Sequence, residues 1–456
     1  MAGKNNLKKI RYFVPIPLLL AATISYIFHA TLNIPSLNDY IREINQFIGE
    51  GKISSYVCSS AFILQPPAKL LSVWINLHFF GYSVYFDLIL GAFGLSLIAF
   101  FMYKYVLDFK VNLYFYAAVL ICIFSLNKWE MILNGTGWPH FWAFAMFYLY
   151  FYLLDLWYTK KEISGKRQIF LIVLAPVTIL CIAVFYSAVF AVTLNLFYFG
   201  MILAKYKRAE KIDNEIIFLL SVDIPLAIYV LCSYLQRDNR VISDGSLFAA
   251  LLEEPVFFIK FFVASFSAEM IGVETVTSTA NGMIWAYVLG IFVIGMYMVS
   301  AYLILSLHIY KKTILPVCLL VSGFLNHVII LCSRWGFRSV TYGMSSRYGL
   351  QYMEGVLGII VTLAYAYQIC SRRIIRRYML LITALFVGGN LLTTYDELHK
   401  MPYRLYASEQ AKTVFFSYDD YDNKELGQMF VTDGKSVRDA MEILKIYQLS
   451  IWKNYQ

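Results

Sequence analysis

Charged residues are scarce in this 456-residue sequence. Only 15% of the residues are Asp, Glu, Lys or Arg, whereas 60% are hydrophobic and 18% are aromatic. A chain of this length and composition does not stay dispersed in water, so a soluble globular protein is excluded. The alternating pattern of an outer-membrane barrel is also missing, and most apolar runs reach the roughly 20 residues with which a helix crosses a membrane. We therefore predict an all-α integral membrane protein.

Several sequence signals of specific chemistry are missing as well. No CxxC motif or Cys/His spacing is present among the seven cysteines, so we predict neither a disulfide framework nor a zinc site. The sequence has no Gly-rich phosphate loop and no internal repeat, and the second absence weighs against transporters built from repeated halves. The formal net charge of +9 is spread over short basic clusters at the ends of apolar runs. This distribution indicates membrane lipid as a partner and no nucleic acid.

Eleven apolar runs are predicted to span the membrane. The first follows the basic stretch Lys4–Arg11 and continues to about Ala30 with no small-residue cleavage site after it, so we expect an uncleaved helix whose N-terminus is inside. The stretch 168–204 is nearly twice the length of a span, and we divide it at Tyr186-Ser187. The further spans are predicted at 81–103, 111–127, 138–158, 168–185, 187–204, 216–234, 282–306, 314–333, 350–370 and 378–395.

The loop charges agree with this topology. With the N-terminus inside, every inside loop is basic, as expected for a protein of the cytoplasmic (plasma) membrane, and the C-terminus is outside. The basic loops are 104–110, 160–167, 205–211, 311–312 and 372–377. We predict a transmembrane domain at 1–395, in which the external segments 31–80 and 235–281 lie on the membrane surface as interfacial helices. Residues 396–456 are predicted to form a small external tail that begins as turns and becomes helical at Ser436–Tyr447.

Ionisable groups near membrane depth are costly, so the places where they gather are the best sequence signal of function. The first cluster follows the first span, where Asp39 and Arg42 are three residues apart and would share one face of a helix, with Glu43 beside them. A carboxylate at this position is placed to deprotonate an acceptor hydroxyl at the outer face. The structural alternative is a solvated interfacial helix with an N-cap.

The second cluster is rich in Trp, Gly and polar residues. Trp129 and Glu130 are followed by Asn134-Gly135-Thr136, and then by Trp138 and His140, in one short external connection. The glycines allow a backbone to approach a ligand closely, so this connection is a candidate cavity wall. The alternative is an aromatic belt that anchors two helices at the membrane interface.

The third cluster places basic residues on the outside, against the positive-inside tendency. Arg334, Arg338 and Arg347 lie between two predicted spans, and Tyr348 follows the last of them. Arginine is suited to the bidentate binding of phosphate, so these residues indicate an anionic ligand. The alternative is that the arginines extend to lipid headgroups of the outer leaflet.

Together, these motifs resemble those of bacterial multi-pass GT-C glycosyltransferases, in particular an uncharacterised group whose expected activity is the transfer of lipid-linked sugars to cell-envelope polysaccharides. The similar features are an acid in the first external loop, here Asp39, a Trp-Glu pair followed by Gly at 129–135, and a Ser-Arg-Tyr triplet at 346–348. The polar tail from Asp422 to Trp452 is also similar. The sequence departs from the group at Leu64–Lys69, where many members carry Asn-Glu-His-Arg.

The resemblance implies an inverting transfer of a sugar from a polyprenyl-phosphate carrier to a polysaccharide or glycolipid acceptor. Such a transfer needs a carboxylate for the acceptor and cations for the leaving phosphate. On this basis we expect catalytic roles for Asp39, Glu130 and Glu43, phosphate binding by Arg347, Arg338, Arg334 and His140, and a substrate cavity with Trp129, Trp138, Tyr348 and Arg42. Some GT-C enzymes need a divalent cation, but we assign no metal ligand, and the cofactor stays open.

Two other functions are alternatives. A transporter or flippase of a lipid-linked or anionic solute would share the helices and the arginines, but it needs a polar path across the membrane, for which Asp87 and Asp223 are the candidates. A non-catalytic partner in envelope polymer assembly is the other alternative, and the departure at Gln65–Lys69 is its best argument. If the protein is an enzyme of this kind, Asp39, Glu130 and Arg347 must meet in one outward cavity.

Overall fold

The computed structural model describes residues 9–49, 67–160, 165–183, 186–212, 214–235 and 246–453. Within these ranges the chain forms helices joined by short turns, and no strand is present. The α-helices in chain order are α1 (Pro15–Ala30), α2 (Asn38–Glu43), α3 (Pro67–Ile75), α4 (Val84–Asp108), α5 (Leu113–Phe124), α6 (Trp129–Ile132), α7 (Trp138–Lys160), α8 (Gly165–Val177), α9 (Ser187–Lys207), α10 (Asn214–Leu235), α11 (Leu247–Glu253), α12 (Pro255–Ser267), α13 (Val273–Thr277), α14 (Gly282–Ser306), α15 (Leu315–Arg334), α16 (Gly349–Ile369), α17 (Arg373–Phe416), α18 (Asn423–Phe430) and α19 (Gly434–Ile446).

Ten helical segments of the described chain are long and apolar enough to cross a membrane, so the protein is a multi-pass helical membrane protein. They coincide with ten of the predicted spans. The remaining predicted span coincides with α7, a helix of 23 residues that includes Asp155 and several Tyr and Trp residues. Most of α7 is covered by neighbouring helices, and Tyr148 and Tyr150 are buried. Because little of α7 faces outward, it does not need the apolar surface of a lipid-facing helix.

The structure divides the stretch 168–204 at the place that the sequence predicts. α8 contains Pro176 and continues as a π-helical segment, a wide turn, through Ala183. α9 then begins at Ser187. The Ser187 hydroxyl donates a hydrogen bond to the Ile179 carbonyl at 3.1 Å. A proline inside a helix removes one backbone hydrogen bond, so the wide turn that follows it has a local cause.

The helix α16 is the centre of the bundle. Every residue from Gly349 to Ala366 is buried, so this helix is enclosed by others on all sides. Its closest neighbour is α15, where Gly323 faces Gly355 so closely that a Cβ atom on Gly323 would collide with the Gly355 backbone nitrogen. Small residues let two helix backbones approach, which strengthens packing where no hydrophobic effect drives association.

The end of the chain differs from the prediction. The last predicted span ends at 395, but α17 continues without a break to Phe416, and the predicted domain boundary therefore lies inside a helix. The polar residues that suggested turns form ion pairs along the surface of this part of α17. An example is the pair of Lys400 Nζ and Asp396 at 2.7 Å. α18 and α19 then form a small cap, and Asn45, which follows α2, donates a hydrogen bond of 2.8 Å to the Ser436 carbonyl of this cap.

The two segments that are predicted to be external contain short helices. The first holds α2 and α3, and residues 50–66 between them lie outside the described ranges. The second holds α11, α12 and α13, and α12 packs against α14 through buried side chains such as Phe261 and Ala264. With 13 residues, α12 is too short to cross a membrane by itself.

The contact between Gly323 and Gly355 predicts a position-specific effect of an added methyl group. Gly323→Ala should lower the free energy of unfolding by about 1–3 kcal/mol, because the crowded helix pair must separate. The matched control is Gly388→Ala, where an added Cβ atom would meet no packing neighbour within 4 Å and Ala should be neutral or stabilising. Denaturant titration of both variants in detergent measures the difference, and equal stability of the two would contradict the packing argument.

Candidate functional site

One cavity of about 970 Å³ opens at one end of the helix bundle. Residues far apart in the sequence line it, from the end of α1, from α2, α6, α7, α15 and α17, and from the turn before α16. Seven of the eleven predicted site residues are among them. These seven are Asp39, Trp129, Glu130, His140, Arg334, Arg347 and Tyr348.

Glu130 and Arg347 form an ion pair on the cavity wall. Arg347 Nε donates to Glu130 Oε1 at 2.9 Å, and Arg347 Nη2 contacts the same oxygen. The hydroxyls of Ser345 and Ser346 donate to Glu130 Oε2, each at 3.2 Å. Because both carboxylate oxygens are engaged, Glu130 is better placed to hold Arg347 in position than to accept a proton from a substrate.

Asp39 is the least engaged carboxylate of the cavity. It lies in the first turn of α2, and its side chain is 37% exposed. Arg42 Nη2 donates to Asp39 Oδ1 at 3.3 Å, and the Thr136 hydroxyl lies 3.4 Å from Asp39 Oδ2. That hydroxyl has one hydrogen and lies closer to Asn134 Oδ1, at 2.7 Å. Asp39 therefore keeps lone pairs available on the cavity side.

Glu43 does not line the cavity. It is buried, with Lys69 Nζ at 2.7 Å from Oε2 and the Tyr82 hydroxyl donating to Oε1 at 2.8 Å. The neighbouring Tyr40 hydroxyl donates to Asp87 Oδ2 at 3.0 Å. Burial, together with the nearby carboxylates, raises the pKa of Tyr40 and of Tyr82 well above the usual value, so both phenols stay protonated donors. This network attaches α2 to α3 and α4 and thereby places Asp39.

Lys69 belongs to the stretch where the sequence departs from the GT-C group. Residues 64–66 of that stretch lie outside the described ranges. Lys69 itself is fully buried and supplies the cation that balances Glu43. The departure thus includes a lysine with a defined structural partner.

Three further predicted residues also lie away from the cavity lining. Arg338 pairs with Glu254 at 2.8 Å and lies over the Trp335 ring at 5.0 Å. Trp138 is buried and packs edge-on against Trp142. Arg42 contacts the cavity only through its bond to Asp39. None of these three residues lines the cavity, and the partners observed for them are other protein groups.

Two more of the residues that were predicted to bind phosphate line the cavity, and their surroundings differ. His140, in the first turn of α7, lies 3.2 Å from the Tyr186 hydroxyl through Nδ1. Arg334, in the last turn of α15, forms no ion pair with a described residue. Its charge is therefore available to an anionic ligand, in contrast to that of Arg347.

The sequence prediction missed Arg404. This residue of α17 lines the cavity and lies over the Trp129 ring at 3.4 Å. Its Nη2 also contacts Glu274 at 2.7 Å and Glu397 at 3.0 Å. The prediction missed it because the chain after 395 was expected to be a separate tail. The seven-residue spacing of Glu397 and Arg404, two turns of one helix, is the signal that could have indicated it.

Several acidic residues of the tail have partners within the tail itself. An Asp-x-Asp sequence is present at Asp420 to Asp422, but Asp422 caps α18 by accepting the Glu425 N–H at 2.7 Å. Asp419 pairs instead with Arg438 at 3.3 Å. In the part of the chain that the structure describes, no three His, Cys, Asp or Glu side chains are grouped to hold a metal ion.

Comparison with known proteins gives no relative for this chain. No family model, no curated protein and no solved structure matches it.

The buried pair of Glu43 and Lys69 predicts a strong effect on stability. Lys69→Met should lower the free energy of unfolding by about 3–5 kcal/mol, because Glu43 is left buried without its cation. The double variant Lys69→Met/Glu43→Leu should recover most of this loss. Denaturant titration in detergent measures both. The matched control is Arg338→Ala, which removes an exposed pair and should cost less than about 1 kcal/mol; a Lys69→Met loss no larger than this would count against the network.

Proposed function

We propose that this protein is an outward-facing glycosyltransferase of the GT-C type, which moves a sugar from a polyprenyl-phosphate carrier to an envelope polysaccharide or glycolipid acceptor. The observation that carries the proposal is the presence of Asp39, Arg334 and Arg347 in the lining of one cavity. Such a cavity holds a carboxylate for the acceptor hydroxyl and cations for the leaving phosphate, which are the charged groups that the transfer needs.

The distribution of basic residues supports an outward cavity. α15 begins shortly after Lys312 and ends at the cavity with Arg334, whereas α9 begins beside the cavity near Val189 and ends at Lys207. Both of these helices thus have a lysine at or near the end opposite the cavity, and basic helix ends tend to stay in the cytoplasm. The proposal therefore keeps eleven spans in the cytoplasmic membrane, with the N-terminus inside and the C-terminus outside.

In the proposed reaction, the acceptor hydroxyl oxygen attacks the anomeric carbon of the sugar while its proton passes to Asp39. The bond from the anomeric carbon to the phosphate oxygen breaks, and its electron pair leaves with the phosphate. The growing negative charge lies beside Arg334 and Arg347, and Glu130 holds Arg347 in place for it. Attack from the side opposite the phosphate inverts the anomeric configuration.

The depth of the cavity favours a transferase over a transporter. The deepest polar side chains of its lining on α15 and α16 are Asn326 and Gln351. Beyond them α16 is buried and apolar from Val356 to Val361. Asp87 and Asp223, the candidates for a polar path, do not line the cavity. The lining of this cavity therefore provides no continuous polar route across the membrane.

Deletion of the gene and complementation test the proposal. We expect one sugar to be lost from the envelope polysaccharide or glycolipid and to return with the wild-type gene. Asp39→Asn should fail to restore it at equal membrane levels, because removing a general base typically costs about 10²–10⁴ in rate. The measurement is the sugar composition of the purified envelope fractions.

The matched control for this experiment is Arg338→Ala. Arg338 carries a charge outside the cavity, so its loss should leave the sugar composition as in the wild type. Full restoration by Asp39→Asn would exclude Asp39 as the base. An envelope that keeps every sugar after gene deletion would refute the transferase itself.

The cation beside the leaving phosphate predicts a graded effect. Arg347→Ala should lower the initial rate of sugar transfer in membrane vesicles by about 10²–10³-fold, and Arg347→Lys by less, because a lysine keeps the charge but not the planar donor pair. Transfer from radiolabelled lipid-linked sugar formed in those vesicles measures the rates. Equal rates for Arg347→Ala and wild type would remove Arg347 from the mechanism.

A further inference from the structure

The innermost part of the cavity is formed by three polar side chains that the reaction scheme does not use. Asn326 of α15, Tyr348 before α16 and Gln351 of α16 line the cavity and are only 1%, 5% and 6% exposed. We call these three residues the inner floor. Polar side chains this deeply buried are costly unless they meet a hydrogen-bonding partner.

The hydrogen bonds of the inner floor leave specific groups free. Asn326 Nδ2 donates to Glu354 Oε2 at 2.9 Å and to the backbone carbonyl of Gln351 at 3.2 Å, so both of its N–H bonds are used. Asn326 therefore offers its carbonyl oxygen to the cavity as an acceptor. The side-chain oxygen of Gln351 is buried and has no hydrogen-bond partner among the described residues.

These groups suit hydroxyls better than ions. A hydroxyl both donates and accepts, so it satisfies a free carbonyl, an amide and a phenol at the same time. The inner floor contains no cation, and Glu354 lies fully buried directly behind Asn326. A ligand carboxylate at this depth would thus lose its hydration without meeting a cation of the inner floor, which is unfavourable.

The inner floor lies at a suitable distance from the arginines. Gln351 follows Arg347 by four residues, and one helical turn corresponds to about 5–6 Å along the axis. Asn326 precedes Arg334 by eight residues, which corresponds to about 12 Å. A phosphate at the arginines and one ring attached directly to it would therefore place the ring against the inner floor.

We propose that the inner floor of Asn326, Tyr348 and Gln351 binds the transferred sugar itself and selects a neutral, hydroxyl-rich monosaccharide. This inference rests on the proposed function, since it takes the anion at the arginines to be the phosphate of the donor. Within that function it names the class of sugar: uncharged hexoses or N-acetylhexosamines are accepted, and uronic acids are rejected.

The test uses the full-length protein in nanodiscs and five probes. They are citronellyl phosphate alone and citronellyl phosphate carrying glucose, galactose, N-acetylglucosamine or glucuronate, and calorimetry measures each Kd. We expect at least one neutral-sugar probe to bind roughly tenfold more tightly than the bare phosphate, as a few neutral hydrogen bonds allow. The glucuronate probe should bind no more tightly than the bare phosphate.

Variants assign this preference to the inner floor. Gln351→Leu should reduce the preference for the neutral sugar by about fivefold or more while the Kd of the bare phosphate changes less than about twofold. Arg347→Ala should weaken all probes alike. The matched control is Ser333→Ala, since Ser333 also lines the cavity but its hydroxyl is bonded to the Ile330 carbonyl of its own helix. If Gln351→Leu does not fold, Gln351→Ala replaces it in the calorimetry, and its thermal stability is measured to show that it is folded.

Each outcome decides the inference. It is overturned when no neutral-sugar probe binds better than the bare phosphate, when glucuronate binds as tightly as the neutral sugars, or when the Gln351 variants weaken all probes equally. A neutral-sugar preference that the Gln351 variants abolish supports it. If that preference is present but gene deletion changes no envelope sugar, the inner floor is a sugar site and the transferase proposal alone fails.

Discussion

The burial of α16 on all sides is the constraint on which the rest of the structure depends. Because every residue from Gly349 to Ala366 is covered, the surrounding helices have little freedom in how they pack, and the contact of Gly323 with Gly355 brings α15 close. The turn that leads into α16 carries Arg347, and α15 ends with Arg334. Arg334 and Arg347 are thus placed next to the most completely buried helix of the bundle, which suits a site that must hold a fixed geometry.

The charged groups on this frame differ in how far they are engaged by the protein. Glu130 is occupied by Arg347 and two serines, and Arg404 by Glu274 and Glu397. Asp39, in contrast, has one hydrogen bond of 3.3 Å and a longer contact to a hydroxyl that prefers another partner. A general base must keep a lone pair for its substrate. A positioning residue instead uses its oxygens to bind the group that it holds in place. On this basis we propose the first role for Asp39 and the second for Glu130.

Much of the fold could be predicted because its causes are local. A helix in lipid satisfies its own backbone and presents apolar side chains over about 20 residues, so hydropathy located the long helices, including the break before Ser187. The extension of α17 to Phe416 was not predicted. Its polar residues look like turn sequence, and only the ion pair between Asp396 and Lys400 and the contacts of Arg404 show why they stay helical.

By itself the sequence determined that the chain is a helical membrane protein, and it located the clusters of polar residues, since such residues are rare near membrane depth. Only the tertiary structure decided which members of those clusters share a cavity. Asp39 faces it, while Glu43, one turn further along α2, is covered by Lys69 and Tyr82. Whether a side chain meets a ligand or a protein partner depends on neighbours contributed by distant segments, and no local pattern in the sequence records those contacts.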